Sequence, residues 1–182
     1  MEGLDVDRAH LVGISYGALL ALNFALHLAS RVDRLVLMSP AFLIAPFTGR
    51  WIATSARIAA FPSRSTILKV LDELSMRGFA GDEPMLRQRV LAMKGKRTRR
   101  IVFPAFSRRR LRELRAPSLV LFGAAEIMYD PRRALAAAKQ LIPGARAAII
   151  PNGGHSLNRD QPEIVNRLIP EFLDSPLSRG ES

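Results

Sequence analysis

The chain alternates between short, wholly apolar runs and longer mixed stretches. Ala9-His-Leu-Val-Gly-Ile14 reads as a strand, and it leads through Ser15 into a stretch from Tyr16 to about Leu28 that is apolar on nearly every side. That second pattern belongs to a helix packed in an interior. Arg31-Val-Asp-Arg34 reads as a surface turn, and Leu35-Val-Leu-Met38 as another buried strand, ended by Ser39-Pro40. Strand, helix, strand is the unit that builds parallel sheets. Such strands are covered on both faces, so they lack the polar alternation of a half-exposed strand.

From Ala41 to about Arg115 the pattern breaks up. Pro46, Gly49, Pro62, Gly78, Gly81, Pro84, Gly95 and Pro104 divide it into short pieces. Helical runs are expected over Ser65–Met76, with Ser65 as cap, and over Glu83–Met93, and no strand is expected here. The alternation then resumes with a strand at Ser118-Leu-Val-Leu-Phe122, ended by Gly123. Asp130-Pro131 opens a helix to about Leu141, with Asp130 as N-cap and Pro131 in the first turn. Pro143-Gly144 is a stop, and Ala147–Ile150 is a further strand. Asp160 is read as the N-cap of a last helix reaching Leu173, with Glu163 completing a capping box. The expected division is a core from 1–40 and 116–174, a helical insertion at 41–115 and a flexible tail at 175–182. The fold class is α/β, a parallel sheet flanked by helices.

Gly13-Ile14-Ser15-Tyr16-Gly17 joins the first strand to the first helix. A serine at the tip of such a hairpin is held in a strained backbone conformation. Side chains at Gly13 and Gly17 are expected to collide as strand and helix fold past each other. Glu126 and His155 also fall in loops just after strands, and in an open parallel sheet those loops gather at one edge. A serine hydroxyl is a poor nucleophile until a histidine takes its proton, and the histidine needs a carboxylate to fix its tautomer. Ser15, Glu126 and His155 are the candidates for these three parts. Asp130 is the rival to Glu126, with helix capping as its competing employment. His10 and His27 are read as structural.

The length of 182 residues suits one domain with a real core. With no cysteine, disulfides and thiolate metal sites are excluded. The early acidic residues Glu2, Asp5 and Asp7 do not suit a secretory signal, and a cytoplasmic location is expected. Ala9 to Ser30 carries no Lys, Arg, Asp or Glu and has the length of a membrane span. Its Gly13, Ser15, Gly17, Asn23 and His27 favour a buried strand and helix instead, so no membrane contact is expected. The net charge of +11 comes largely from the basic stretch between Lys94 and Arg115. No zinc spacing, stacking platform or helix-turn-helix accompanies that stretch, so it is read as a solvated helical face rather than a nucleic-acid site.

The chain resembles the α/β-hydrolase superfamily, in particular esterase-like members with a helical cap. The resemblance rests on Gly13-Ile-Ser-Tyr-Gly17, Leu119-Val-Leu-Phe-Gly123, Glu126, Asp130-Pro131, Ile142-Pro-Gly144, Ile150-Pro-Asn-Gly-Gly-His155 and Gln161-Pro-Glu163. It is strong at both ends of the chain and weak in the middle. It implies Ser15 as nucleophile, His155 as base and then acid, and an acid after the strand that ends at Gly123. The family usually has Asp three residues after that glycine, where this chain has Glu126. It implies hydrolysis of a small carboxylic ester, with carbon–carbon bond hydrolysis second, no cofactor and no metal.

Such a hydrolase has several strands before the elbow strand, where this chain has eight residues. The chain is therefore expected to be the C-terminal part of a hydrolase. Tyr16 N–H then remains as its oxyanion donor, and an apolar sheet edge is left open to other chains or to a separate N-terminal fragment. The alternatives are an inactive remnant and a basic nucleic-acid-binding module.

Overall fold

The computed structural model describes residues 6–40, 45–61, 63–78, 83, 84, 87, 88, 91 and 106–176. Its elements are β1 (Ala9–Ile14), α1 (Tyr16–His27), β2 (Val32–Met38), α2 (Gly49–Ala60), α3 (Arg64–Glu73), α4 (Arg108–Arg112), β3 (Ser118–Gly123), α5 (Pro131–Leu141), β4 (Arg146–Ile150), α6 (Leu157–Asp160) and α7 (Pro162–Leu173). The four strands form one parallel sheet in chain order, β1-β2-β3-β4.

Alternation along β2 decides how the layers stack. Leu35 and Leu37 belong to a core with Leu19 and Leu22 of α1, Leu111 of α4 and Ala134, Ala138 and Leu141 of α5. Val36 and Met38 belong to a second core with Leu157 of α6 and Val165 and Phe172 of α7. Both faces of the strand are thus apolar because helices cover both. Burying a side chain such as Leu37 or Val36 contributes about 1.5–3 kcal/mol.

β1 is an outer strand of the described sheet, the open apolar edge expected of it, and α1 is less covered than an interior helix would be. Val12 is 48% exposed, Leu20 of α1 52% and Tyr16 37%. The helix buries Ala18, Leu19, Leu22 and Ala25 against β1 and β2 and leaves its other side open. No helix among the described residues is long and apolar enough to cross a membrane.

Several local expectations need correction. Arg34 is not in a surface turn: β2 begins at Val32, and Arg34 is a buried member of it. Its guanidinium donates to the Phe172 carbonyl (2.8 Å) and to Ser175 Oγ (3.0 Å), and lies 5.4 Å from the centre of the Phe172 ring. Ser175 is therefore tied to the sheet rather than loose; residues 177–182 of the expected flexible tail lie outside the described residues. Helix α3 starts one residue before Ser65, and its cap is Ser63, whose Oγ accepts the Thr66 N–H at 3.1 Å. The helical run expected over Glu83–Met93 falls mostly outside the described residues, as does the basic stretch before Arg108. In α4, Arg109 and Arg110 pair with Glu113 at the surface.

The α2–α3 pair is fastened to the sheet's C-terminal edge at both ends. At its entry, Thr48 caps α2 by accepting the Trp51 N–H, and its N–H donates to the Met128 carbonyl at 2.9 Å. Phe47 forms an antiparallel bridge with Tyr129. At its exit, the Leu74 carbonyl accepts the Ser156 N–H at 3.0 Å.

Candidate active site

The register of the sheet brings the four strand ends to one edge, those of β1 and β2 level with each other and those of β3 and β4 level two residues further on. Ile14 pairs with Met38, Met38 with Leu121, and Gly123 with Ile150. The residues that follow these ends, Ser15, Ser39, Glu126 and His155, consequently open onto the same edge.

Ser15 sits between β1 and α1 with φ 53° and ψ −116°, a conformation that disfavours any side chain. Its N–H still donates to the Met38 carbonyl at 2.9 Å, so the parallel ladder extends to the serine itself. A Cβ at Gly13 would stand 2.4 Å from the Gly17 carbonyl oxygen, so only glycine fits there. Gly17 is different from what the spacing suggests: a Cβ there would meet nothing within 4 Å. The tight approach is one-sided because the Gly13 Cβ points at the helix backbone while that of Gly17 points away from the strand.

His155 Nε2 lies 2.7 Å from Ser15 Oγ, and His155 Nδ1 lies 2.7 Å from Glu126 Oε2. An ionised carboxylate can only accept, so Nδ1 carries the proton and Nε2 is left to accept the serine hydroxyl. The Glu126 side chain is fully buried and that of His155 nearly so. Glu126 Oε1 accepts the Met128 N–H at 2.9 Å, which leaves Oε2 for the imidazole. Burial, and then the negative charge of Glu126, push the Tyr129 hydroxyl well above its usual pKa. That hydroxyl lies near the carboxylate without hydrogen-bond geometry among the described residues.

The loops carrying Glu126 and His155 brace each other. Ala125 N–H donates to the Gly153 carbonyl at 2.8 Å, and Ala124 N–H to that of Ile150 at 2.9 Å. A Cβ at Gly123 would stand 2.2 Å from the Gly154 oxygen, so this contact also requires glycine.

Asp130 lies apart from this group. Its Oδ1 accepts the N–H groups of Arg132 (2.8 Å) and Arg133 (3.1 Å) at the start of α5. The Arg133 N–H above all, then that of Arg132, holds its carboxyl below the usual range. Tyr16 is the first residue of α1, so its N–H belongs to the positive end of that helix's dipole, directly beside Ser15. His10 is exposed, and His27, at the exposed end of α1, has its Nδ1 2.8 Å from the Asn23 carbonyl.

Two residues at this edge escape sequence reasoning. Ser39, with φ 42°, is fully buried beside Ser15, and its hydroxyl has no partner among the described residues. Asp160 is not a cap: α7 is preceded by Gln161 with no side-chain cap bond, and the Asp160 carboxylate turns inward to Gly154, Ser75 and Arg77. Its place before Gln-Pro mimics a helix start, and the true partners are far away in the chain. Among the described residues, no cluster of three or more His, Asp or Glu side chains could hold a metal ion.

Comparison with known proteins matches this arrangement to characterised folds. A carboxylesterase nap described as uncharacterised, from Bacillus subtilis (strain 168), is 29% identical over 185 residues, spanning 96% of this chain and 59% of the relative. Carboxylesterase YbfK of the same organism is 29% identical over 184 residues, spanning 94% and 60%. The crystal structure of naproxen esterase (carboxylesterase NP) from Bacillus subtilis superposes with a TM-score of 0.83 at 27% identity, covering 95% of this chain and 62% of that one. The chain thus spans about three-fifths of the length of the curated relatives it matches. The family model described as the alpha/beta hydrolase family matches residues 1–168, and with a parallel sheet flanked by helices and a serine at the strand-to-helix turn, the chain belongs to that family.

Proposed function

We propose that the chain is a serine hydrolase acting on small carboxylic esters, with Ser15 as nucleophile, His155 as general base and acid, and Glu126 as the carboxylate that orients His155. The observation that carries this reading is the unbroken relay of two 2.7 Å contacts from Ser15 Oγ through the imidazole to Glu126. The two carboxylesterases among the relatives support the choice of ester substrates.

Ser15 Oγ attacks the ester carbonyl carbon while His155 Nε2 takes its proton. The buried Glu126 carboxylate steadies the imidazolium through Nδ1–H. As the tetrahedral intermediate collapses, Nε2 returns the proton to the departing alkoxide, leaving an acyl-serine. Water then attacks that acyl group with the same histidine as base; the bond from the acyl carbon to Oγ breaks, Nε2 returns the proton to Ser15 Oγ, and the carboxylic acid leaves. Tyr16 N–H, at the start of α1 directly after Ser15, is assigned as the donor to the developing oxyanion, and such a donor is worth about 10²–10³ in rate. The reaction draws on no cofactor or metal in this reading.

The test is labelling of the purified 182-residue chain with a serine-directed fluorophosphonate, followed by intact-mass measurement. A single adduct that disappears in Ser15→Ala is the expected result. A folded chain that takes no adduct, or an adduct that persists in Ser15→Ala, would overturn the assignment. Turnover of a p-nitrophenyl acetate panel then gauges the acyl preference.

A further inference from the structure

His155 is held from both sides by a segment of the helical insertion, and one carboxylate makes most of that connection. The residue before it, Gly154, donates its N–H to Asp160 Oδ2 at 2.7 Å. The residue after it, Ser156, donates its N–H to the Leu74 carbonyl at 3.0 Å. Asp160 Oδ1 accepts from the Ser75 hydroxyl and, at 3.2 Å, from the Arg77 N–H. The carboxylate is only 1% exposed, so water does not compete for these bonds. A Cβ at Gly154 would stand 3.1 Å from both Asp160 Oδ2 and the Leu74 oxygen, which shows how closely the two segments approach. The neighbouring Arg159 adds a bond from Nε to the Gly78 carbonyl at 2.7 Å.

The segment 74–78 is the exit from α3. Immediately before it, Glu73 receives the Arg57 guanidinium at 2.8 Å and the Thr54 hydroxyl at 3.1 Å, both from α2. A continuous chain of contacts therefore runs from α2 through Glu73, Ser75 and Asp160 to the backbone on either side of the imidazole.

We propose that Asp160 is a positioning residue for the histidine: its buried carboxylate locks the Gly154–Ser156 loop to the α3 exit, so that the insertion sets where His155 stands relative to Ser15 and Glu126. Asp160 touches no reacting atom. It satisfies three donors, one in the histidine loop and two on the α3 exit, and losing it leaves Gly154 N–H buried without an acceptor. A displacement of about 1 Å in a catalytic group costs on the order of a hundredfold in rate. This inference rests on the hydrolase reading for its effect on rate, but not for its effect on where the imidazole sits.

The experiment compares wild type, Asp160→Asn, Ser75→Ala and Arg34→Ala, all at a temperature where circular dichroism shows each folded. Two readouts are taken: the second-order rate of fluorophosphonate labelling, and the low-field proton resonance of His155 Nδ1–H bonded to Glu126. Asn keeps the size of Asp160 but turns a donor toward one of its three partners. Asp160→Asn is expected to slow labelling at least tenfold and to shift or erase the resonance. Ser75→Ala, which spares the Gly154 bond, is expected to slow labelling about threefold and shift the resonance less; it carries the test if Asp160→Asn does not fold. Arg34→Ala loses stability at the opposite end of the sheet and is expected to leave both readouts in place. Variants at Asp160 and Ser75 that keep the wild-type resonance and label within twofold of wild type would overturn the proposal. If wild type itself takes no label, the hydrolase reading fails, and the resonance alone still decides the role of Asp160.

Discussion

Ser15 combines a hydroxyl in contact with His155 with a backbone that resists carrying a side chain, and the two can be separated. At φ 53° and ψ −116° a side chain costs about 1–3 kcal/mol. Ser15→Gly removes the Cβ that creates this cost, while Ser15→Ala keeps it. Both variants lose Oγ and its 2.7 Å contact with His155, so that loss cancels between them. The extra freedom of glycine in the unfolded chain takes back about 0.4–1 kcal/mol. The glycine variant is therefore expected to be the more stable by about 0.5–2 kcal/mol, or roughly 2–6 °C in melting temperature for a chain of this size. Thermal unfolding followed by circular dichroism, checked by urea midpoints at equal slope, measures the difference. Neither variant is expected to take the fluorophosphonate. If Ser15→Ala melts at or above Ser15→Gly, the backbone strain at the serine is not real and the argument from φ fails.

Three further outcomes are expected. Gly123→Ala drives a Cβ to 2.2 Å from the Gly154 oxygen, and neither backbone yields easily, so labelling should fall at least tenfold with about 1–3 kcal/mol lost in urea unfolding. Glu126→Gln should slow labelling about a hundredfold or more, while Asp130→Asn should not, because Asp130 caps α5; the reverse order in the same kinetic assay would return the acid's role to Asp130. The folded-state pKa of Asp130 lies below its ordinary 3.8, so its contribution is fully present above that value and is lost as pH falls through the folded value. The gap in melting temperature between wild type and Asp130→Ala should accordingly stay constant from neutral pH down to about pH 5 and close below pH 3.8.

The sheet was legible in sequence because its inner strands are apolar on both faces. Leu35–Met38 and Ser118–Phe122 read as unbroken runs, and helices do cover both sides of them. Ser15, Glu126 and His155, which the structure brings together, could be picked out because each is a polar residue just past a strand end, His155 directly after a glycine and Ser15 two positions from one on either side. What could not be read depends on contacts between distant segments. Arg34 looked like a turn residue because nothing local shows that the Phe172 carbonyl, 138 residues on, will receive it. Asp160 looked like a cap because Asp-Gln-Pro satisfies every local rule for one, and its Ser75 partner lies 85 residues away. Gly17 looked sterically required by symmetry with Gly13, but strand and helix pack asymmetrically about the serine. Apolar character overstates burial in α1, read as an interior helix: Leu20 is about half exposed, whereas the half-exposed Val12 lies on the edge strand that was expected to be open.

The fastening of the α2–α3 pair has a bearing on how such a chain can be recombined. Its entry, through Thr48, holds the loop of Glu126, and its exit, through Leu74 and Ser75, holds the loop of His155. A crossover placed near Pro40 and Arg115 exchanges both fastenings along with the helices. One placed inside them, between 49 and 73, exchanges the helices with their own buried contacts but leaves both fastenings in place. Chimaeras with foreign helices should keep an ordered histidine loop in the second case and lose it in the first. Among the described residues, the span between Thr48 and Ser75 is thus one that can change while both fastenings stay in place.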